Sequence, residues 1–469
     1  MRLFNTLTRK MEDINEIVGG NEVRIYVCGI TAYDFSHIGH ARSAVVFDTL
    51  WRYLEYKGFN VIYVQNFTDV DDKIVRRAIE EKKTQKEIAE RFIKEYFEDI
   101  SKLNVRKATY HPKVTDHIKD IIKFVDGLIN AGFAYVVDGD VYFHVPAFEK
   151  YGELSKQPLE ELNKHRIEPD PRKKDVKDFA LWKSAKEDDL KAKAFFDSPW
   201  GKGRPGWHIE CSVMSSKYLG VPFHIHGGGK DLIFPHHENE RAQSYALFGK
   251  EPVKLWMHND FVTIRGEKMS KSLGNIVRIR DVLKKYPGEV LRCFLLTAHY
   301  RSPIDYSEDS LERALKSYNS LREALINLDM EIAALKSKGE NRDKLNVDPT
   351  PYVRGFEEAM DDDLNTPKAL ARLHEFARYI NKIIPHASLP ELEEIYECYR
   401  KLCGIMGFFE KYNRVPILKN SEMKLIIERE SCRMKRDFER ADKIREEFRL
   451  KGIQLIDTPR GTRWRWIEK

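Results

Sequence analysis

Cysteine is scarce in this chain of 469 residues: there are six, at positions 28, 211, 293, 398, 403 and 432, and no two form a C-x-x-C pair. Such a scatter excludes a disulfide scaffold and makes the cytoplasm the expected location. No run of 18 apolar residues occurs, so no membrane-spanning helix is expected. The opening Met1-Arg2-Leu3-Phe4-Asn5-Thr6-Leu7-Thr8-Arg9-Lys10 lacks the apolar core of a secretory signal. Internal repeats and low-complexity tracts are missing as well. Net charge is only +6, from 80 Lys/Arg against 74 Asp/Glu, so any polyanion-binding surface has to come from local clustering. One such cluster exists: residues 433–469 hold twelve Lys/Arg against seven Asp/Glu.

With 42% apolar and 33% charged residues, the sequence belongs to a folded chain of two to four domains. The stretch that organises it is Ser36-His37-Ile38-Gly39-His40-Ala41-Arg42. Before it, Arg24 to Cys28 reads as a buried strand; after it, Ala44, Val45, Phe47, Leu50, Trp51 and Leu54 keep a helical rhythm up to Lys57-Gly58. A second strand, Val61 to Val64, completes a βαβ unit with a right-handed crossover. Ser36 is the expected N-cap, which places His37 and His40 where backbone N–H groups and the macrodipole favour anions. Gly39, without a side chain, lets a flat base or a phosphate approach the backbone. Two histidines three apart are, alone, as compatible with plain surface decoration. Further on, Asn66-Phe67-Thr68-Asp69 sits at the carboxyl end of a parallel strand, where open α/β folds place ligands.

Chemistry resumes at Gly206-Trp207-His208-Ile209-Glu210-Cys211, followed by the strand-like Phe223-His224-Ile225-His226 and by Gly227-Gly228-Gly229. Cys28, Cys211, His236 and Glu240 make a sensible zinc set, two sulfurs with an imidazole and a carboxylate, and His236 and Glu240 are spaced to share a helical face. Spacing leaves the set open, because Cys28 and Cys211 are distant in sequence and a single cysteine is more often an inert packing residue. Lys268-Met269-Ser270-Lys271-Ser272 follows between Gly266 and Gly274, both suited to hinges. Near the C-terminus, Met434, Phe438, Ala441, Ile444 and Phe448 fall on one helical face, and Thr462, Trp464 and Trp466 on one face of a short strand opposite Arg463 and Arg465.

H-I-G-H after a first strand, with K-M-S-K-S more than two hundred residues downstream, is the signature pair of class I aminoacyl-tRNA synthetases, and the chain resembles that family. Over nearly its whole length it is similar to the cysteinyl-tRNA synthetases. The resemblance is carried by Phe4 to Lys10, Tyr26-Val27-Cys28-Gly29, His37 to Arg42, Asn66 to Asp69, Gly206 to Ser212, His226 to Gly229, Pro235 to Glu240, Lys268 to Ser272 and Asp457 to Thr462. Ile30 and Ala32 depart from it, with consequences for loop stiffness rather than for ligand chemistry.

The resemblance implies an α/β fold: a Rossmann-like parallel-sheet catalytic domain split by an insertion, then an α-helical bundle and a small C-terminal α+β anticodon-binding domain. The expected boundaries are 1–113 and 200–250 for the halves of the catalytic domain, 114–199 for the insertion, 251–308 for a stem-contact region with the K-M-S-K-S loop, 309–412 for the bundle and 413–469 for the terminal domain. It implies one zinc ion on Cys28, Cys211, His236 and Glu240 that binds the thiol of the substrate. It implies ATP and its magnesium on His37, Gly39, His40, Lys268, Ser270 and Lys271, with His37, His40, Lys268 and Lys271 catalytic. Gly29, Thr31, Thr68, Trp207 and Asp231 are expected around L-cysteine, and Arg436, Arg460, Arg463 and Trp464 against tRNA-Cys. No stable protein partner is expected.

Zinc suits this selection. Shape alone separates side chains that differ by a hydroxyl only about 10²-fold, whereas a thiol bound to zinc ionises readily and a serine hydroxyl does not. Three rivals are set against this reading: a paralogue that passes cysteine to an amino-sugar, a zinc hydrolase and a non-catalytic RNA-binding protein. A long basic C-terminus disfavours the first, the absence of H-E-x-x-H spacing the second, and two intact signature loops the third.

Overall fold

A computed structural model describes residues 1–156, 170–269 and 274–467. Ser270, Lys271 and Ser272 lie outside the described residues, as does part of the charged stretch between Lys164 and Lys177. The chain divides into two compact units, residues 1–310 with 361–365, and residues 311–360 with 366–469.

The first unit is built on four parallel strands: β1 (Glu22–Val27), β2 (Asn60–Gln65), β3 (Phe223–Gly229) and β4 (Val253–Asn259), in the spatial order β4-β3-β1-β2. β1 and β2 are rich in β-branched and aromatic residues, as suits strands covered by helices on both faces, whereas β3 reads Phe-His-Ile-His-Gly-Gly-Gly. α1 (Ile38–Tyr56) makes the crossover from β1 to β2 and buries Ile38, Ala41, Val45, Phe47, Leu50 and Leu54. Its cap is His37 rather than Ser36: the His37 ring accepts from the His40 N–H, and the His40 ring accepts from the His37 N–H. The histidine pair thus closes the helix end itself.

Asp48, on α1, and Arg292, on the helix Gly288–Leu296, form a buried ion pair at 2.6 Å. Arg42, fully buried, donates to the carbonyls of Leu295 and His299. These contacts lock the His37–His40 turn to the segment that follows the K-M-S-K-S loop. The backbone completes the lock, with Ile38 N–H on the Val277 carbonyl (3.0 Å) and Ile279 N–H on that of Ser36 (3.0 Å).

Between the halves of the sheet stands an antiparallel four-stranded sheet, Ala134–Val137, Asp140–Phe143, Phe179–Ser184 and Gly203–Pro205; its first hairpin turns at Asp138-Gly139. Residues 361–365 also belong to this unit. Asp363 accepts from the Phe4 N–H (2.9 Å) and the Tyr300 hydroxyl (2.6 Å) and pairs with Arg301.

The second unit is helical, with Thr366–Ile383 and Leu389–Ile405 among its helices and a closing hairpin, Ile453–Thr458 with Gly461–Trp466. The polar segment Ser337 to Thr350, whose composition suggests a linker, is pinned: Glu391 accepts from the N–H groups of Leu345 and Val347. The expected single helical face from Met434 to Phe448 is broken. One helix ends at Met434, Arg436 takes φ +64°, and Asp437 caps a new helix, Phe438–Leu450. Ala441, Ile444 and Phe448 are buried, while Met434 and Phe438 are 80% and 55% exposed.

Candidate active site and metal centre

The carboxyl ends of β1 and β3 deliver the first donor. Val27 pairs with Gly227 across the strands, and Cys28, one residue further, donates its N–H to the Gly227 carbonyl at 3.2 Å. The helix α2 (Trp207–Leu219) supplies Cys211 from its second turn. Gly206 starts it because a Cβ there would sit 1.9 Å from the Ala180 carbonyl oxygen. A tight turn over Ile233–His237 leads into α3 (Glu238–Phe248), so His236 lies one turn from Glu240.

These four side chains converge. One ligand atom from each of Cys28, Cys211, His236 and Glu240 lies within 4.8 Å of all the others. The two sulfurs are 3.7 Å apart, Cys28 Sγ is 3.6 Å from Glu240 Oε1, and His236 Nε2 is 3.0 Å from that oxygen. A tetrahedral ion with bonds of about 2.3 Å to sulfur and about 2.0 Å to nitrogen and oxygen requires edges of roughly 3.3–3.8 Å. The sulfur edges meet that requirement, and the nitrogen–oxygen edge is a few tenths short. The donor set therefore fits zinc in both type and spacing.

A second set, Cys28, His226, His237 and Glu240, shares two members with the first. His226 Nε2 stands 2.8 Å from Glu240 Oε2, which leaves Oε1 toward Cys28 and His236. His237 Nε2 is 3.3 Å from Cys28 Sγ, and its Nδ1 continues to His258 Nε2 (2.7 Å) and so to the Thr6 hydroxyl (2.7 Å). The two sets compete for Cys28 and Glu240, and only the first brings a second sulfur.

The electrostatics of the cluster are those of a cation site. Burial and the neighbouring Cys211 push the Cys28 thiol up. Burial opposes ionisation of Cys211 too, but Cys28 and His236 outweigh it and bring that thiol down to about 6. His236, although buried, is raised to about 10 by Glu240 and Cys211, and Glu240 falls to about 2 against its burial because of His226 and His236. In effect, a proton on His236 stands where positive charge is wanted.

Of the four donors, Cys28 lines a cavity of about 740 Å³. Gly29, Thr31, Trp207 and Asp231 line it together with His37, Gly39, His40 and Lys268. Trp207 stacks on the His236 ring at 4.2 Å and is 37% exposed. Thr68 lies deeper: 2% exposed, it donates its hydroxyl proton to Glu210 Oε2 at 2.7 Å. His224 Nδ1 accepts from the Arg24 N–H at 3.0 Å, a purely structural use. The rings of His37 and His40 stack at 3.7 Å, and burial holds the His40 imidazole well below its usual range, hence neutral. A Cβ on Gly39 would sit 2.9 Å from His37 Nδ1 and 3.3 Å from Met269 Cε, so the K-M-S-K-S loop reaches the glycine. Lys268 Nζ stands 4.0 Å over the Phe261 ring and 3.9 Å from Asp231.

In the second unit, Arg436 and Arg460 are exposed. Arg463 and Trp464 are not, which corrects their assignment to an RNA-contact surface. The Trp464 indole is fully buried and donates to the Pro416 carbonyl, and Arg463 is held by Glu331 at 3.0 Å. Alternation along the strand did not reveal this, because Glu331 lies on a distant helix. His237, His258 and Asn66 were likewise missed as neighbours of the cluster; the local signal for His237 was its place next to His236 in H-H-E-N-E.

A signature turn clipped to a lysine loop over a Rossmann-like sheet defines a class of nucleotide-binding α/β enzymes. Residues 14–316 match the model of the tRNA synthetases class I (C) catalytic domain, and residues 355–410 match the DALR domain. The cysteine–tRNA ligase of Archaeoglobus fulgidus is 69% identical over 99% of this chain and 100% of its own length. That of Thermococcus gammatolerans is 48% identical over 100% and 99%. Solved structures share the fold: Mycobacterium tuberculosis methionyl-tRNA synthetase in complex with methionyl-adenylate has a TM-score of 0.59 at 16% identity, covering 82% of this chain and 90% of that one. Agrobacterium radiobacter leucyl-tRNA synthetase, in a ternary complex, has a TM-score of 0.62 at 10% identity, covering 83% and 84%. The chain belongs to the class I aminoacyl-tRNA synthetases, among the cysteine–tRNA ligases. No helix among the described residues is long and apolar enough to cross a membrane.

Proposed function

We infer that this enzyme ligates L-cysteine to tRNA-Cys at the expense of ATP. A carboxylate oxygen of cysteine attacks the α-phosphorus and pyrophosphate leaves. A terminal ribose hydroxyl of the tRNA then attacks the activated carbonyl, forming the ester and releasing AMP. Neither step needs a protein nucleophile, so the protein's contribution is positioning and charge stabilisation.

His37 and His40, at the N-terminus of α1, donate to the phosphates, and the bare backbone at Gly39 admits the nucleotide. Lys268 and Lys271 offset charge on the departing pyrophosphate, with magnesium expected on the ATP phosphates. Asp231 and the backbone around Gly29 and Thr31 suit the ammonium end of the amino acid, and Trp207 covers it. Cys28, Cys211, His236 and Glu240 would hold zinc, which when bound supplies a soft Lewis acid for the substrate sulfur. Arg436 and Arg460 are offered to the RNA backbone.

The observation that supports this reading is that Cys28, one donor of the two-sulfur cluster, lines the same cavity as the His37–His40 turn and Lys268. Amino-acid-dependent exchange of pyrophosphate into ATP tests it. Exchange should be supported by cysteine and not by serine, and should be lost on chelation and restored by zinc. Transfer to tRNA-Cys, and not to an amino-sugar, completes the test; exchange equal with serine would refute it.

A further inference from the structure

The proposed metal ligands come from three separate elements, and something has to set the distance between the sulfurs before an ion arrives. Asn66, one residue past β2 and 1% exposed, touches the backbone next to Cys28 and the sulfur of Cys211. Its Oδ1 accepts from the Gly29 N–H at 2.9 Å and lies 3.8 Å from Cys211 Sγ.

The backbone on either side of Cys28 is therefore tied at two points. Its own N–H is held by Gly227 on β3, and the next N–H is held by the Asn66 side chain at the end of β2. Asn66 is itself fixed, because Gln65 N–H donates to the Tyr110 carbonyl (3.0 Å) and Phe67 N–H to that of Pro112 (2.9 Å). The packing leaves no slack: a Cβ on Gly29 would fall 1.6 Å from the Asn66 carbonyl oxygen. A rigid post with one oxygen between two ligand-bearing segments is the arrangement by which residues beyond the direct ligands orient a metal site.

We propose that Asn66 is a positioning residue for the metal centre: its side-chain oxygen fixes the Cys28–Gly29 peptide and, through it, the separation of Cys28 Sγ from Cys211 Sγ. The proposal rests on the zinc reading above and concerns how the chain prepares that site. Asn66 touches neither ion nor substrate.

The test uses the full-length apo protein titrated with Co²⁺, and with Zn²⁺ against a chromophoric chelator. Thiolate-to-cobalt charge-transfer absorption reports on the two sulfurs independently of activity. N66L keeps the volume and removes the acceptor; N66D keeps the acceptor. N66L should bind either ion about 10–100-fold more weakly, with a weakened charge-transfer band, while N66D stays within a few-fold of the parent. Should N66L not fold, N66A makes the same comparison on its folded fraction, isolated by gel filtration. Unchanged affinity and spectrum in N66L, or an equal loss in N66D, overturns the role of Asn66. A parent protein that binds no cobalt through sulfur overturns the metal reading instead.

Discussion

The sulfurs of Cys28 and Cys211, 183 residues apart in the chain, stand 3.7 Å from each other. Nothing local brings them together. Cys28 is placed by the end of a strand and Cys211 by a helix entered from a different sheet, so their meeting is a property of the whole first unit.

Removing one sulfur tests the site directly. Cys211→Ser keeps the volume but replaces a soft ligand with one that does not ionise. Zinc stoichiometry in the purified protein should fall below one, measured by atomic absorption. Cysteine-dependent pyrophosphate exchange should drop by two orders of magnitude or more, with ATP binding retained.

Metal uptake should also depend on pH in a fixed direction. Cys28 is held up by burial and by Cys211, and His236 carries its proton up to about 10. Both must lose protons to serve as ligands, so binding releases protons and affinity rises with pH. Calorimetry in buffers of different ionisation enthalpy should show proton release between pH 6 and 8. Uptake of protons would contradict the assignment.

Trp207→Ala and Lys268→Ala should separate binding from chemistry. Trp207 covers the end of the cavity next to His236, so its loss should raise KM for cysteine about tenfold with little change in kcat. Lys268 lines the same cavity as His37 and His40, and its loss should lower the rate of adenylate formation about 10²-fold while leaving KM for cysteine near the parent value. Single-turnover measurements distinguish the two.

Stability should respond to the pair Asp48–Arg292. Burial raises the Asp48 pKa, but Arg292 and Arg52 outweigh it, so the carboxyl lies below its usual value. A depressed carboxylate contributes stability above the unfolded pKa of about 3.9, and that contribution fades as pH falls through the folded value. Asp48→Asn should cost about 3–5 kcal/mol at pH 7, and the deficit should shrink below pH 4. Denaturant melts at the two pH values check both.

In the second unit, Arg436→Ala with Arg460→Ala should weaken tRNA binding several-fold and flatten its salt dependence, with pyrophosphate exchange unchanged. Arg463→Ala should instead lower the melting temperature, because it removes one of the arginines that hold the buried Glu331 and leaves it to Arg342 and Arg460.

Most of the site's identity could be read from the sequence, and most of its mechanics could not. His37, Gly39, His40 and Lys268 are local motifs whose spacing survives translation into structure. His236 and Glu240 share a turn, and that too is local. What escaped involves partners remote in the chain. Glu331 removes Arg463 from the surface, Asn66 joins Gly29 to Cys211, and His258 continues the path from His237. The apolar pattern from Met434 to Phe448 fits one helix until Asp437 caps a second, and local capping then outweighs periodicity.

Residues 361–365, which return to the first unit between stretches of the second, limit how this enzyme can be recombined. A chimera joined at residue 310 discards Asp363, the carboxylate that anchors Phe4, Tyr300 and Arg301. A chimera joined after residue 365 carries a foreign remainder onto native helices. The catalytic half and the helical half are interleaved along the polypeptide, so neither is inherited through a single crossover, and grafting a new RNA specificity onto this scaffold means transplanting those five residues with their original neighbours.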